Sequence, residues 1–294
     1  LTPSNDINGT VLEPVGQKAG LFDMSPNYKK RKLGLCVRNY LDCCRYEAYR
    51  IKVTRASYIA LLCSLLSIIG LSILICTIYT VRANDLSPYQ LITTDPVFLS
   101  LSGTFLAQLI IGVFAILSVT NEYGYGTIVT SALLEPIRTR FLLAKLIVVS
   151  SVIFLSTALA LSVAFLVGEK ILSARFQVVS ILSLTALKSI AGSALYLTIL
   201  SCICIGIAVS IRRTSGAVAT LFGILLLLPI IVSLLPSPWA GEIGKYLPGS
   251  AGVVLAHSFQ ISNMMSPLKA LAVLACYAIL WMGLGIYFIT HRDI

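Results

Sequence analysis

Six runs of mostly apolar residues, at 56–81, 97–120, 146–167, 178–211, 216–235 and 268–290, constrain this chain more than anything else in it. Each is long enough to cross about 30 Å of hydrocarbon as a helix, which takes about 20 residues. A backbone in lipid must satisfy its own hydrogen bonds, and only helices and closed barrels do so. The weak alternating pattern of a membrane barrel is absent. Apolar residues make up 57% of the chain and charged residues 12%, against about 25% charged in soluble domains. Mean hydropathy is +0.91. The expected fold is an all-α polytopic membrane protein with six transmembrane helices.

A net charge of +10 could point to nucleic acid, but the cations are distributed by side. Ten Lys and Arg precede the first span; Arg138, Arg140 and Lys145 follow the second, Arg212 and Arg213 the fourth, and Arg292 the sixth. If the spans alternate, these share one side and only Arg82, Lys170, Arg175, Lys245 and Lys269 lie on the other. That asymmetry predicts cytoplasmic N- and C-termini in a multi-pass protein of the cell membrane. The basic excess then serves topology and contact with the lipid bilayer's anionic headgroups, with no nucleic acid implied. The cysteines are scattered over the predicted inner side and the spans, with no C-x-x-C pair, so neither a disulfide framework nor a zinc site is predicted.

Residues 1–32 are rich in Pro, Gly, Asn and Lys without periodicity and read as a disordered cytoplasmic tail. From 33 to 55 the pattern becomes helical. Val37, Leu41, Cys44, Ala48 and Ile51 draw one apolar face, while Arg38, Arg45 and Lys52 recur every seventh residue. This is either an amphipathic interfacial helix or an extension of the first span; both place it at the inner leaflet. A six-helix membrane core is expected over 56–294, with an outer loop at 236–267 that is long, Pro-bounded and only mildly polar. Its apolar stretch 251–257 is too short to span and predicts a re-entrant or interfacial segment before the sixth span. The fourth run, being overlong, either tilts or starts nearer Leu187.

Between the second and third spans, 121–145 is far longer than a turn requires. It carries helix-forming patches, two glycines, Pro136 and three cations. A short helix along the membrane surface is predicted over 122–134, with Glu122 near the positive end of its dipole and Pro136 closing it. Arg138, Arg140 and Lys145 are placed at the water boundary, either anchoring the third span to lipid or receiving a partner's carboxylate.

The run Glu122-Tyr123-Gly124-Tyr125-Gly126-Thr127-Ile128, followed by Leu133-Leu134-Glu135-Pro136-Ile137-Arg138-Thr139-Arg140 and Ala144-Lys145, closely resembles the loop after the second span in permease subunits of type-2 ABC exporters. The resemblance has an actinobacterial character. It continues in Arg212-Arg213-Thr214-Ser215-Gly216-Ala217, in Trp239 and the run from Tyr246 to Gly252, and in the ending His291-Arg292-Asp293-Ile294. It implies that 121–145 carries a coupling helix that docks on a separate cytoplasmic ABC ATPase subunit. Glu122, Gly126, Thr127, Pro136, Arg140 and Lys145 match the family's recurring positions. Arg138 completes the coupling set at a position where the family varies, and Gly124 stands where it more often has a charge.

The resemblance further implies a second permease subunit, identical or different, and a hydrophobic or amphipathic cargo such as a drug, peptide or lipid. ATP and Mg would be bound by the ATPase and no cofactor by this chain, which lacks the G-x-x-x-x-G-K-[ST] loop that cradles phosphates. The alternative is a non-transport membrane protein: an embedded enzyme, a channel or a structural partner. His257 and His291 are the only histidines, and no metal-ligand or nucleophile–base motif accompanies them. Two polar residues inside spans are candidates for a substrate path. Lys188 could instead snorkel to the headgroups, and Gln108 could instead hydrogen-bond between helices. The predicted sidedness is testable in a cysteine-depleted chain. Asn84→Cys and Ser262→Cys should react with a membrane-impermeant maleimide in intact cells, whereas Ser131→Cys should react only after the cells are opened; labelling at Ser131 from outside would invert the topology.

Overall fold

The computed structural model describes residues 41–83, 94–124, 138–174, 176, 183–259 and 264–291. The elements are α1 over 41–53, α2 Arg55–Arg82, α3 Pro96–Ser100, α4 Thr104–Gly124, α5 Arg138–Leu172, α6 Leu184–Ile211, α7 Thr214–Ser233, α8 Ser237–Lys245, α9 Pro248–Ala256 and α10 Pro267–His291. No strand occurs among the described residues. Helices α2, α4, α5, α6, α7 and α10 are long and apolar enough to cross a membrane. The chain is an all-α polytopic membrane protein. The contacts reported below gather α1, the end of α4, the start of α5 and the end of α10 at one end of the bundle, the terminal face. The turns around α3 and the α9–α10 connection lie at the opposite face.

α6 is the hub. It packs on α4, α5, α7, α9 and α10, and 72% of its most apolar window is buried, against 11% for α10. Lipid-facing side chains are large and apolar, among them Leu62, Leu66, Leu155, Leu159, Ile279 and Leu280. The bundle-facing residues are often small, because helices in lipid gain little by hiding apolar surface and must instead approach closely. On α2 the buried residues Ser64, Ile68, Ser72 and Cys76 recur every fourth position. Ser72 Oγ accepts the Gly103 N–H at 3.2 Å, and a Cβ on Gly103 would meet the Ile68 carbonyl. On α6 a Cβ at Gly206 would lie 2.6 Å from the Trp281 carbonyl carbon of α10. Tyr196 OH donates to Gln108 Oε1 at 2.5 Å, joining α6 to α4.

Boundaries differ from the hydropathy runs for local reasons. The second run divides: Asp95 caps α3 by accepting the Val97 N–H at 3.0 Å, Pro96 starts that short helix, and the chain turns through Leu101–Gly103 before α4. The fourth span begins at Leu184, where Ser183 Oγ accepts the Ala186 N–H at 3.2 Å. α5 runs 35 residues, about 52 Å at 1.5 Å per residue, so it extends beyond the apolar run and takes in Arg138, Arg140 and Lys145. Within α7 a π-turn over Gly223–Leu227 precedes Pro229. Proline has no N–H and crowds the carbonyl four residues back, and the wider turn accommodates it. The segment before α10 forms two short helices, α8 and α9, of which α9 is largely buried against α6 and α10.

α1 presents a different face from the one its apolar periodicity suggested. Leu41 and Ala48 are exposed, while Glu47 and Ile51 are buried and Cys43, Cys44 and Arg50 are half-buried. Residues 1–40 and 125–137, including the tail and the surface helix predicted over 122–134, lie outside the described residues except for the helical 122–124. The close helix contacts yield a paired test. Gly206→Ala should lower the melting temperature of the detergent-solubilised protein, in line with a cost of about 1–3 kcal/mol for overpacking. Gly283→Ala, where nothing lies within 4 Å, should leave it unchanged or slightly raised; equal effects would show that the α6–α10 approach is not tight.

Candidate functional site

At the terminal face four charged side chains from three segments close on one another. Lys145, one turn inside the apolar part of α5, donates from Nζ to Glu122 Oε1 of α4 at 2.6 Å and to the Ser118 carbonyl at 3.3 Å. The same ammonium lies 3.0 Å from Glu47 Oε1 of α1. Arg50 of α1 pairs with Glu122, donates from Nη2 to the Ser118 carbonyl at 2.7 Å, and lies 3.4 Å from Glu47 Oε2. Glu47 is wholly buried, Lys145 is 1% exposed and Glu122 5%. Neither Glu47 oxygen receives a well-aligned hydrogen bond; its contacts are ionic.

Two carboxylates balance two cations, so the cluster is neutral as a whole. That balance is what makes its burial tolerable, because an unpaired charge withdrawn from water costs several kcal/mol. The helix adds to it. Ser118 and Glu122 stand in the last two turns of α4, where the negative end of the helix dipole favours cations. Lys145 and Arg50 supply them. A neighbouring contact set closes the rest of this face. Arg212 caps α6 in the left-handed region at φ 59°, an uncommon conformation for a side chain with a Cβ. Its guanidinium donates to the Phe288 carbonyl of α10 at 3.3 Å and lies over the Tyr123 ring at 5.6 Å. Thr214 Oγ1 donates to Thr120 Oγ1 at 2.9 Å.

Of the coupling residues proposed from sequence, Glu122 and Lys145 are brought together and buried: Lys145 faces Glu122 instead of the water boundary, and Glu122 stands in the last turn of α4, at the negative end of its dipole and not near the positive end of a surface helix. The backbones of Arg138 and Arg140 form the first turn of α5, and their side chains lie outside the described set. Gly126, Thr127 and Pro136 also lie outside the described residues. On the suggested substrate path, Gln108 is buried and engaged by Tyr196, whereas Lys188 is exposed near the opposite face and lines a cavity. Sequence reasoning missed Glu47 and Arg50. The available signal was that Glu47 is the only acidic residue between Asp42 and Asp85, three positions before an arginine. Among the described residues, no group of three or more His, Cys, Asp or Glu comes together in a way that could hold a metal ion.

Structurally the cluster is a clasp. It ties both flanks of residues 125–137 to each other and to α1. No family model matches the chain, and no curated protein is significantly similar to it.

A neutral clasp makes a distinctive prediction for variants. Lys145→Met leaves a buried carboxylate without its ammonium and should destabilise the protein by about 3–5 kcal/mol. Glu122→Met combined with Lys145→Met leaves Glu47 balanced by Arg50 and should cost clearly less than the sum of the single changes. Denaturant unfolding in mixed micelles measures both; additive losses would show that the four groups do not act as a unit.

Proposed function

We propose that this chain is the membrane-spanning permease subunit of an ATP-driven type-2 ABC exporter. It works in the bacterial cytoplasmic membrane with the termini on the cytoplasmic side. The observation that carries the reading is the clasp at the two ends of residues 125–137. A loop that receives force must be stiffly attached to the helices it moves, and Glu47, Arg50, Glu122 and Lys145 attach this one to α1, α4 and α5 together. The resemblance of 121–145 to the coupling loop of such permeases supplies the partner, a cytoplasmic ATPase subunit that binds ATP and Mg.

In this mechanism nucleotide binding draws a pair of ATPases together beneath a pair of permeases. Each ATPase pushes on the segment that includes Gly126, Thr127 and Pro136, with Arg138 and Arg140 at the base of α5 available to a partner's carboxylates. The clasp passes the displacement to α1, α4 and α5 as one body, which moves against the α6-centred remainder. A cargo that binds the two resulting states with different affinity is carried from one side to the other. A hydrophobic or amphipathic drug, peptide or lipid suits a bundle whose interior is apolar, and outward movement follows the family resemblance.

Co-expression with a candidate cytoplasmic ABC ATPase subunit tests the reading. Replacing 126–134 with a Gly/Ser stretch, alone or with Arg140→Glu, leaves Glu122 and Lys145 in place. Co-purification and permease-stimulated ATP hydrolysis should both fall at least about tenfold, equivalent to about 1.4 kcal/mol, with the melting temperature unchanged. Survival of both activities would refute the coupling assignment.

A further inference from the structure

At the face opposite the termini, a cavity of about 460 Å³ opens between α6, α9 and the start of α10. That is within the range of about 300–1,000 Å³ typical of small-molecule sites. Lys188 and His257 line it together with the apolar Leu195, Met264, Met265 and Leu271, of which Leu195 and Met264 are exposed. The site is built, because each wall is fixed by contacts of its own. The His257 ring stacks on Phe98 of α3 at 3.9 Å between centroids, and its carbonyl accepts from Ser189 Oγ at 3.0 Å. The next residue, Ser258, gives its N–H and hydroxyl to the Asp95 carboxylate at 2.8 and 2.9 Å. A Cβ on Gly192 would lie 2.8 Å from the Leu255 carbonyl, so α9 rests directly on α6.

The chemistry of the lining selects one class of occupant. Among the described residues no acidic side chain lines the cavity, and Lys188 has no hydrogen bond or ion pair. His257 Nδ1 donates to the Val253 carbonyl at 2.9 Å, which fixes the ring in the wall. Lys188 stands four residues into α6, about 6 Å along the helix axis from its start. One cation at the mouth suits an anionic head, and flexible methionines and leucines behind it suit an alkyl chain. A fully hydrated anion would gain nothing from those walls, and a cation would be repelled at the mouth.

We infer that the cavity bounded by Lys188, His257, Met264 and Leu271 is a binding site for an anionic amphiphile, holding a phosphate or carboxylate head at Lys188 and its alkyl chain against Leu195 and Leu271. The site stands on this geometry alone and does not require an ATPase to drive the chain.

Native mass spectrometry of the full-length protein in detergent tests it, using lysophosphatidylglycerol, lysophosphatidylcholine and inorganic phosphate as probes. The anionic lysolipid should bind about fivefold more tightly than the zwitterionic one, the effect of about one interfacial cation. Lys188→Gln, a change at an exposed position that the fold tolerates, should abolish that preference, and Lys188→Arg should restore it. Leu271→Trp should reduce binding of both lysolipids by filling the cavity. Equal affinity for the two lysolipids, or a preference that persists in Lys188→Gln, would overturn the proposal. Displacement of the lysolipid by phosphate at matched concentration would do the same, since it would mark a plain anion site indifferent to the alkyl chain.

Discussion

The ion pair between Lys145 and Glu122 organises the terminal face, and the rest of that face is arranged so that it can exist. An ammonium and a carboxylate withdrawn from water need further charged or hydrogen-bonding partners around them. Glu47, Arg50 and the Ser118 carbonyl meet that requirement from α1 and α4. Position matters as much as charge. The cluster sits in the last turns of α4, so the cations answer the carboxylates, the Ser118 carbonyl and the negative end of the helix dipole. Removing one member leaves a net charge where water does not reach, which is why the four groups stabilise the fold together or not at all. Because they are buried, salt in the surrounding medium screens them far less than it screens surface pairs.

Away from that cluster the bundle is held by shape. α6 packs on most of the other helices, and at Gly103, Gly192 and Gly206 a backbone of one segment touches the backbone of another. Such contacts leave little room for sliding within the α6–α9–α10 group, whereas the clasp unites α1, α4 and α5 through charge. The two groups are thus joined by different physics. One is close-packed and intolerant of added volume, and the other is intolerant of any change in charge balance. Tyr196 and Gln108 make a polar link between them at mid-depth.

Much of the architecture was legible in the chain because the bilayer imposes a length and a polarity that few sequences meet by accident. All six spans could be read in this way. Their ends could not, since hydropathy reports where lipid lies and not where helix stops. α5 continues as helix through Arg138 and Arg140, and the second apolar run breaks at Asp95-Pro96 and Gly103 for reasons of capping and close approach. The face of α1 was misread for a related reason. Apolar periodicity counts Leu41 and Ala48 as inward and cannot see that a carboxylate, Glu47, is the most buried residue of the turn once cations meet it. Glu122 and Lys145 stood out by resemblance, but their partners are set by tertiary contacts more than 60 positions away in the chain, as the Arg50–Ser118 hydrogen bond shows.

The wide turn in α7 has a geometric consequence for the surface it shows to lipid. In an ideal helix, positions four apart advance by 400°, so a stripe spaced that way drifts about 40° around the axis at each step. Ala217, Leu221 and Leu225, all buried, follow that spacing. A π-turn takes more residues per revolution and rotates the following positions backward, cancelling much of the accumulated drift. The insertion beside Pro229 therefore resets the angular phase of α7, keeping its inner stripe straight where an uninterrupted coil would have carried it round toward the acyl chains.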